Sequence, residues 1–175
     1  MRQNINWGII GLGNIALQFA HAFKDSTNSR LKGISSTNPD KIKMFQEKFS
    51  INKEYCFNNY QDLLSCDDID IIYIALPNSM HKEWILKSIM NKKNILVEKP
   101  AFINLAETES IKKKVIDNNI FFSEGFMYRY TPQILKVIEL IKNDVIGKPL
   151  SMDSSFGVNL LTKKNIFGFT KKKNR

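Results

Sequence analysis

The chain has 175 residues, 43% of them hydrophobic, and 26 Lys and Arg against 17 Asp and Glu give a formal net charge of +9. This length fits one domain and the start of a second; no apolar run approaches the roughly 20 residues that span a bilayer, and no secretory signal is present at the N-terminus. Two cysteines make neither a disulfide framework nor a zinc site, so we expect a cytoplasmic globular protein without a metal site.

The basic excess could indicate a nucleic-acid partner. The lysines, however, are scattered along predicted helix faces or gathered in short runs, at 92–93, 112–114, 163–164 and 171–173. Such runs are typical of solvated faces. We therefore expect no nucleic-acid partner, although a basic surface would also suit a phosphate-bearing cofactor.

The first part of the chain alternates short apolar runs with helical patterns. In chain order we predict a strand at 5–10, a helix at 14–24, a strand at 31–35, a helix beginning at Pro39 and Asp40, and a strand at 55–57. Residues 69–76 form an almost unbroken β-branched and apolar run. Such a run is typical of a central parallel strand that is buried on both faces.

The same alternation continues to the end of the chain. We predict a helix around residues 84–90, a strand at 94–97, a helix from an Asn104 cap to about Asn118, a strand at 120–123, a helix that starts at Pro132 and is closed by Gly147, and a strand at 150–158. Asn104 with Glu107 three residues later resembles a capping box. The alternation predicts an α/β fold, a doubly wound Rossmann-type parallel sheet with helices on both faces.

Residues 11–16 read G-L-G-N-I-A, which has the form G-x-G-x-x-A. They lie between a predicted strand and a predicted helix, the context that a dinucleotide-binding fingerprint requires. Gly11 permits the tight turn, and Gly13 lets the backbone approach a pyrophosphate. The phosphates would bind beside Asn14 and Ile15, where free N–H groups and the helix dipole favour anions. The alternative is a tight turn without a ligand.

The residue that distinguishes NAD from NADP is expected at the end of the second strand, where residues 35–38 read S-S-T-N. No carboxylate is present there to bind a ribose 2′-hydroxyl. The hydroxyls of Ser36 and Thr37, with the nearby Lys41, could instead accept a 2′-phosphate. This favours NADP, and NAD remains the alternative if the segment is only a polar turn.

Residues 98–100 read E-K-P and follow the strand at 94–97, at the edge where open α/β sheets bind ligands. Pro100 keeps Lys99 out of the helical region, so the lysine is held extended. Hydride transfer between a carbinol and nicotinamide also moves the hydroxyl proton, which Lys99 could exchange and Glu98 could help to orient. The alternative is a solvated Glu–Lys pair.

A second turn, at 76–81, follows the central strand and faces the same crevice. It contains Leu76, Pro77, Asn78 and His81. A histidine at a helix start is often a surface residue or a cap partner, but its place beside the crevice favours a functional role. The other histidine, His21, is interpreted as structural.

The mutual spacing of the G-x-G-x-x-A start, the P-N-x-x-H turn at 77–81 and the E-K-P motif resembles the Gfo/Idh/MocA oxidoreductase family. Segments 124–133 and 154–157 resemble its branch of dihydrodiol and NADP-dependent D-xylose dehydrogenases, so the resemblance covers essentially the whole chain. It implies that Lys99 is catalytic, near nicotinamide and a substrate hydroxyl. With the fingerprint, it predicts these cofactor-binding residues: Gly11, Gly13, Asn14, Ile15, Ser36, Thr37, Lys41, Leu76, Pro77, Asn78, His81, Glu98, Lys99 and Arg129.

The chain departs from the family in length, because members typically have a second α/β domain that supplies substrate contacts, a second catalytic residue and a dimer surface. We predict a Rossmann domain at 1–123, and at 124–175 a junction helix with the first strand of a truncated second domain. A truncated gene product, a partial sequence and a frameshifted gene are all compatible with this. The resemblance implies an NAD(P)-dependent dehydrogenase of a sugar or cyclic diol, homo-oligomeric only at full length. The alternative is a dinucleotide-binding module without turnover.

Overall fold

The computed structural model of the protein describes residues 4–155 and residue 157. The chain divides into two compact units, Met1–Met127 and Tyr128–Arg175. The first contains the whole of the β-sheet, and the second contains one helix among its described residues. The predicted domain boundary after residue 123 stays a prediction.

The first unit is built on a six-stranded sheet. Its strands are β1 (Ile5–Ile10), β2 (Ser29–Ser35), β3 (Cys56–Phe57), β4 (Ile71–Ile74), β5 (Asn94–Val97) and β6 (Phe122–Glu124). All neighbours pair in parallel, in the order β3-β2-β1-β4-β5-β6. This is the strand order of a doubly wound Rossmann sheet, and it confirms the predicted fold class.

Helices connect these strands. They are α1 (Asn14–His21), α2 (Pro39–Phe49), α3 (Tyr60–Leu64), α4 (Asn78–Met90), α5 (Leu105–Asp117) and, in the second unit, α6 (Pro132–Lys142), with short 3-10 turns at Ala22–Asp25, Lys53–Tyr55 and Met127–Tyr130. Within the described ranges, none of the helices is both long enough and apolar enough to cross a bilayer.

The core lies in two layers, because successive strand residues point to opposite faces of the sheet. All four residues of β4 are buried, as the apolar run predicts. One layer packs Ile72 and Ile74 against Trp84 and other residues of α4. The other packs Tyr73 with Phe45 of α2 and small residues of α1. Helices on both faces thus hold the carboxyl ends of the strands in place.

Helix α3 was missed by the sequence analysis. Its five residues are too few to produce a clear helical period. A capping signal is nevertheless present, since the Asn59 side chain accepts a hydrogen bond from Gln61 N at 2.9 Å. Leu63 and Leu64 of this helix are fully buried.

The predicted cap of α5 is confirmed in one half only. The Asn104 side chain accepts a hydrogen bond from Glu107 N at 2.9 Å. The Glu107 carboxylate lies 3.4 Å from Lys82 Nζ and does not complete a capping box. Helices α2 and α6 both begin with proline, at Pro39 and Pro132, as predicted.

The end of the described chain differs from the prediction. Helix α6 ends at Lys142, and Gly147 lies beyond it with φ 66°. The strand predicted at 150–158 is not formed over residues 150–155 and 157, and the rest of it lies outside the described residues. A strand needs a pairing partner, and no described segment pairs with these residues.

Candidate functional site

The candidate site lies at the carboxyl ends of β1, β4 and β5, which are neighbours in the sheet. Strand order reverses between β1 and β4, and ligands of open α/β sheets bind outside such a point. The glycine turn follows β1, the 76–81 turn follows β4, and the E-K-P motif follows β5. The structure therefore brings the three predicted motifs to one edge of the sheet.

Gly11 is required by the geometry of the turn after β1. Its φ is +87°, and a Cβ at this position would lie 2.6 Å from Ala75 O and 2.7 Å from Leu76 Cδ2. Its N–H donates to Ser35 O at 3.1 Å. The turn is thus pressed against the end of β4, and only a glycine fits there.

Gly13 differs from Gly11, because a Cβ here would meet nothing within 4 Å. Gly13 occupies the N-cap position of α1, and no side chain caps this helix. Asn14 is exposed and Ile15 half-buried at the start of the helix. No side chain caps the first N–H groups of α1 and the space beside Gly13 is open, an arrangement that suits an anion such as the pyrophosphate of a dinucleotide.

The end of β2 is only partly free to bind a ligand. Ser36 is buried and its Oγ accepts a hydrogen bond from Asn38 N at 3.1 Å. Thr37 and Lys41 are exposed. Asp40, a carboxylate that the sequence analysis did not weigh for this role, is also exposed, in the first turn of α2.

In the turn after β4, Pro77 and Asn78 are exposed and Leu76 is buried against the glycine turn. His81 is completely buried. Its Nε2 lies 2.9 Å from Leu76 O and its Nδ1 lies 3.0 Å from Pro100 O. Both ring nitrogens thus contact backbone carbonyls, and neither is free for a cofactor in this arrangement.

The Glu98 carboxylate contacts the central strand, and its expected role in orienting Lys99 stays a prediction. The carboxylate accepts a hydrogen bond from the Tyr73 hydroxyl at 2.6 Å. Burial, and then this hydrogen bond, raise the pKa of the Tyr73 phenol well above its usual range. Tyr73, the one polar-ended residue of β4, was the signal that could have revealed this contact.

Lys99 is exposed, and its ammonium group has no hydrogen-bond or ion-pair partner within residues 4–155. The peptide bond that joins it to Pro100 is cis.

Arg129 is exposed in the second unit, so its role at the cofactor stays a prediction. Among the described residues, no group of three or more His, Cys, Asp or Glu could hold a metal ion.

The sheet order and the open helix N-terminus beside the glycine turn define a dinucleotide-binding Rossmann domain. An oxidoreductase family with an NAD-binding Rossmann fold matches residues 5–126 of the chain. The chain belongs to this family, the Gfo/Idh/MocA oxidoreductases. The resemblance found in the sequence is thereby confirmed.

Several relatives are dehydrogenases or reductases. Trans-1,2-dihydrobenzene-1,2-diol dehydrogenase of Xenopus tropicalis is 29% identical over 156 residues, 88% of this chain and 47% of the relative. Glucose-6-phosphate 3-dehydrogenase of Bacillus subtilis is 31% identical over 160 residues, 91% of this chain and 44% of the relative. KijD10, a 3-ketoreductase from Actinomadura kijaniata solved with TDP-benzene and NADP, has a TM-score of 0.73 at 29% identity, over 83% of this chain and 45% of that chain. The chain spans about half the length of the curated relatives it matches.

Proposed function

We propose that this chain binds a nicotinamide dinucleotide at the carboxyl ends of β1 and β4 as part of a dehydrogenase acting on a hydroxyl of a sugar or cyclic diol. The observation that carries the proposal is the uncapped N-terminus of α1, where nothing lies within 4 Å of a Cβ at Gly13. The names of the relatives support the substrate class.

Each end of the cofactor has candidate contacts in the chain. The first N–H groups of α1 would hold the pyrophosphate. Thr37 and Lys41 would contact the adenosine ribose, while Pro77 and Asn78 would lie beside the nicotinamide. When bound, the cofactor supplies or accepts the hydride. Lys99, whose ammonium group has no partner among the described residues, would donate a proton to the substrate carbonyl in reduction and, in its neutral form, accept the hydroxyl proton in oxidation.

The role of Lys99 gives a first test. We expect Lys99→Ala to lower dehydrogenase activity by about a hundredfold or more, because proton transfer at the substrate oxygen is lost, and to leave cofactor affinity nearly unchanged. Activity on a panel of aldoses and cyclic diols would be followed at the absorbance of the reduced nicotinamide. Lys112→Ala, at an exposed position of α5, is the matched control.

The outcome separates two functions. Full activity of Lys99→Ala would contradict the catalytic role. Cofactor binding by the native chain without turnover of any substrate would favour the alternative function, a dinucleotide-binding module.

The choice between NADP and NAD gives a second test. We propose NADP, because the Lys41 ammonium is exposed where a 2′-phosphate would lie. Lys41→Ala should weaken NADP binding about tenfold, the loss of one charge-assisted contact, and leave NAD binding unchanged. Calorimetric titrations would measure both affinities, with Lys48→Ala, at an exposed position in the last turn of α2, as the control. Tighter binding of NAD than NADP by the native chain would refute the preference.

The remaining proposals concern the whole protein. We propose a cytoplasmic location, since Cys56 and Cys66 are free thiols. We also propose a small-molecule substrate with no nucleic-acid partner, and a homo-oligomer for the full-length form.

A further inference from the structure

The peptide unit between Pro100 and Ala101 is held by side chains at both of its polar atoms. Its carbonyl oxygen lies 3.0 Å from His81 Nδ1. Its N–H donates to Glu124 Oε1 at 2.9 Å. His81 comes from the first turn of α4 and Glu124 ends β6, so two separate elements fix one peptide unit directly after the E-K-P motif.

His81 also joins two turns. Its second nitrogen lies 2.9 Å from Leu76 O, at the end of the central strand, and the ring is completely buried. Carbonyl oxygens only accept hydrogen bonds, so a ring N–H of His81 acts here as the donor. A buried ring between two carbonyls connects the turn after β4 with the turn after β5.

Lys99 itself lacks any such support. Its side chain is exposed and unpartnered among the described residues. The direction in which it leaves the backbone therefore depends on how residues 99–101 are held. The only side chains that hydrogen-bond this short segment within residues 4–155 are His81 and Glu124.

We propose that His81 and Glu124 are positioning residues, which hold the Pro100–Ala101 peptide unit and thereby fix Lys99 relative to the nicotinamide. The effect on Lys99 rests on the proposed function, whereas the contacts themselves do not. His81 thus acts through the backbone of the E-K-P turn and not through contact with the cofactor.

The contacts are tested first, by amide hydrogen exchange of the ¹⁵N-labelled chain. We expect the Ala101 amide to exchange at least about tenfold faster in Glu124→Ala, because its acceptor is removed. Glu124→Gln keeps an acceptor oxygen and should restore most of the protection, while the Ile74 amide in the core stays unchanged. An Ala101 amide that is equally protected in Glu124→Ala would overturn the proposal.

The effect on Lys99 is tested by chemical acetylation, read by mass spectrometry with and without NADPH. In the native chain NADPH should protect Lys99. In His81→Asn and Glu124→Ala, NADPH should bind within about threefold of native affinity while the protection of Lys99 is lost. A role in folding alone would not separate binding from protection in this way. His21→Asn, at the histidine that contacts Phe49, is the control.

Different results would contradict the positioning role of His81 and Glu124 and the proposed function. Native protection of Lys99 in both folded variants would overturn the positioning role while leaving the proposed function intact. Failure of the native chain to bind either NADPH or NADH would overturn the proposed function, and the exchange of the Ala101 amide would still decide whether the contacts exist.

Discussion

Gly13→Val is expected to abolish cofactor binding while the protein remains folded. The side chain would enter the open space at the N-terminus of α1, where nothing lies within 4 Å of a Cβ. Its two methyl groups would occupy the volume that a pyrophosphate needs to approach the backbone. The backbone of Gly13 is extended, with φ −90°, so valine meets no conformational barrier, and the poorer N-cap costs only about 1 kcal/mol.

We expect the affinity for NADPH to fall by at least about a hundredfold, which corresponds to about 2.7 kcal/mol. Fluorescence titration would measure it, and circular dichroism with thermal unfolding would show that the variant is folded. Gly13→Ala, with one small methyl group, should give an intermediate affinity. Native affinity in a folded Gly13→Val protein would count against the site.

Gly11→Ala, unlike Gly13→Val, is expected to destabilise the folded protein strongly. The new Cβ would lie 2.6 Å from Ala75 O, at a φ of +87° that L-residues rarely adopt. That oxygen belongs to the backbone at the end of β4, where Ala75 N also donates to Ile10 O at 2.9 Å, so it cannot move alone. We expect a loss of about 3 kcal/mol or more in the free energy of unfolding, from backbone strain and steric overlap together.

Urea unfolding would measure this loss. Gly147→Ala is the matched control, because Gly147 also has a positive φ, of +66°, but nothing lies within 4 Å of its Cβ. It should lose only about 1 kcal/mol, the cost of the left-handed conformation itself. Equal losses at the two positions would show that the contact with Ala75 is unimportant.

The sheet could be predicted from the sequence because buried parallel strands leave a strong apolar signal. The strands predicted at 5–10 and 94–97 have those bounds in the structure. The run at 69–76 contains only the shorter β4, Ile71–Ile74. Ile69 and Leu76 are buried without belonging to the strand, because an apolar side chain indicates burial and carries no information about backbone pairing.

The motifs at this edge of the sheet could be recognised in the sequence, because each motif is a short local pattern. The contacts between the motifs could not be predicted from the sequence. The bond from Tyr73 to Glu98 spans 25 residues, and the one from His81 to Pro100 spans 19. Such contacts depend on the register of β4 against β5 and on the entry angle of α4, which no local pattern encodes. The contacts of Glu98 and His81 within the protein were for this reason not predicted, and their roles at the cofactor stay predictions.

The hydrogen bond between Tyr73 and Glu98 also limits how this sequence can evolve. Phenylalanine at 73 would leave the carboxylate without its donor, and alanine at 98 would leave the buried hydroxyl unpaired. Replacement of Glu98 alone would destabilise the protein by about 1–3 kcal/mol, the cost of an unsatisfied buried polar group, because the Tyr73 hydroxyl is buried whereas Glu98 is only half-buried. Loss of the carboxylate at position 98 is therefore expected to accompany or follow a change at position 73 among descendants of this sequence.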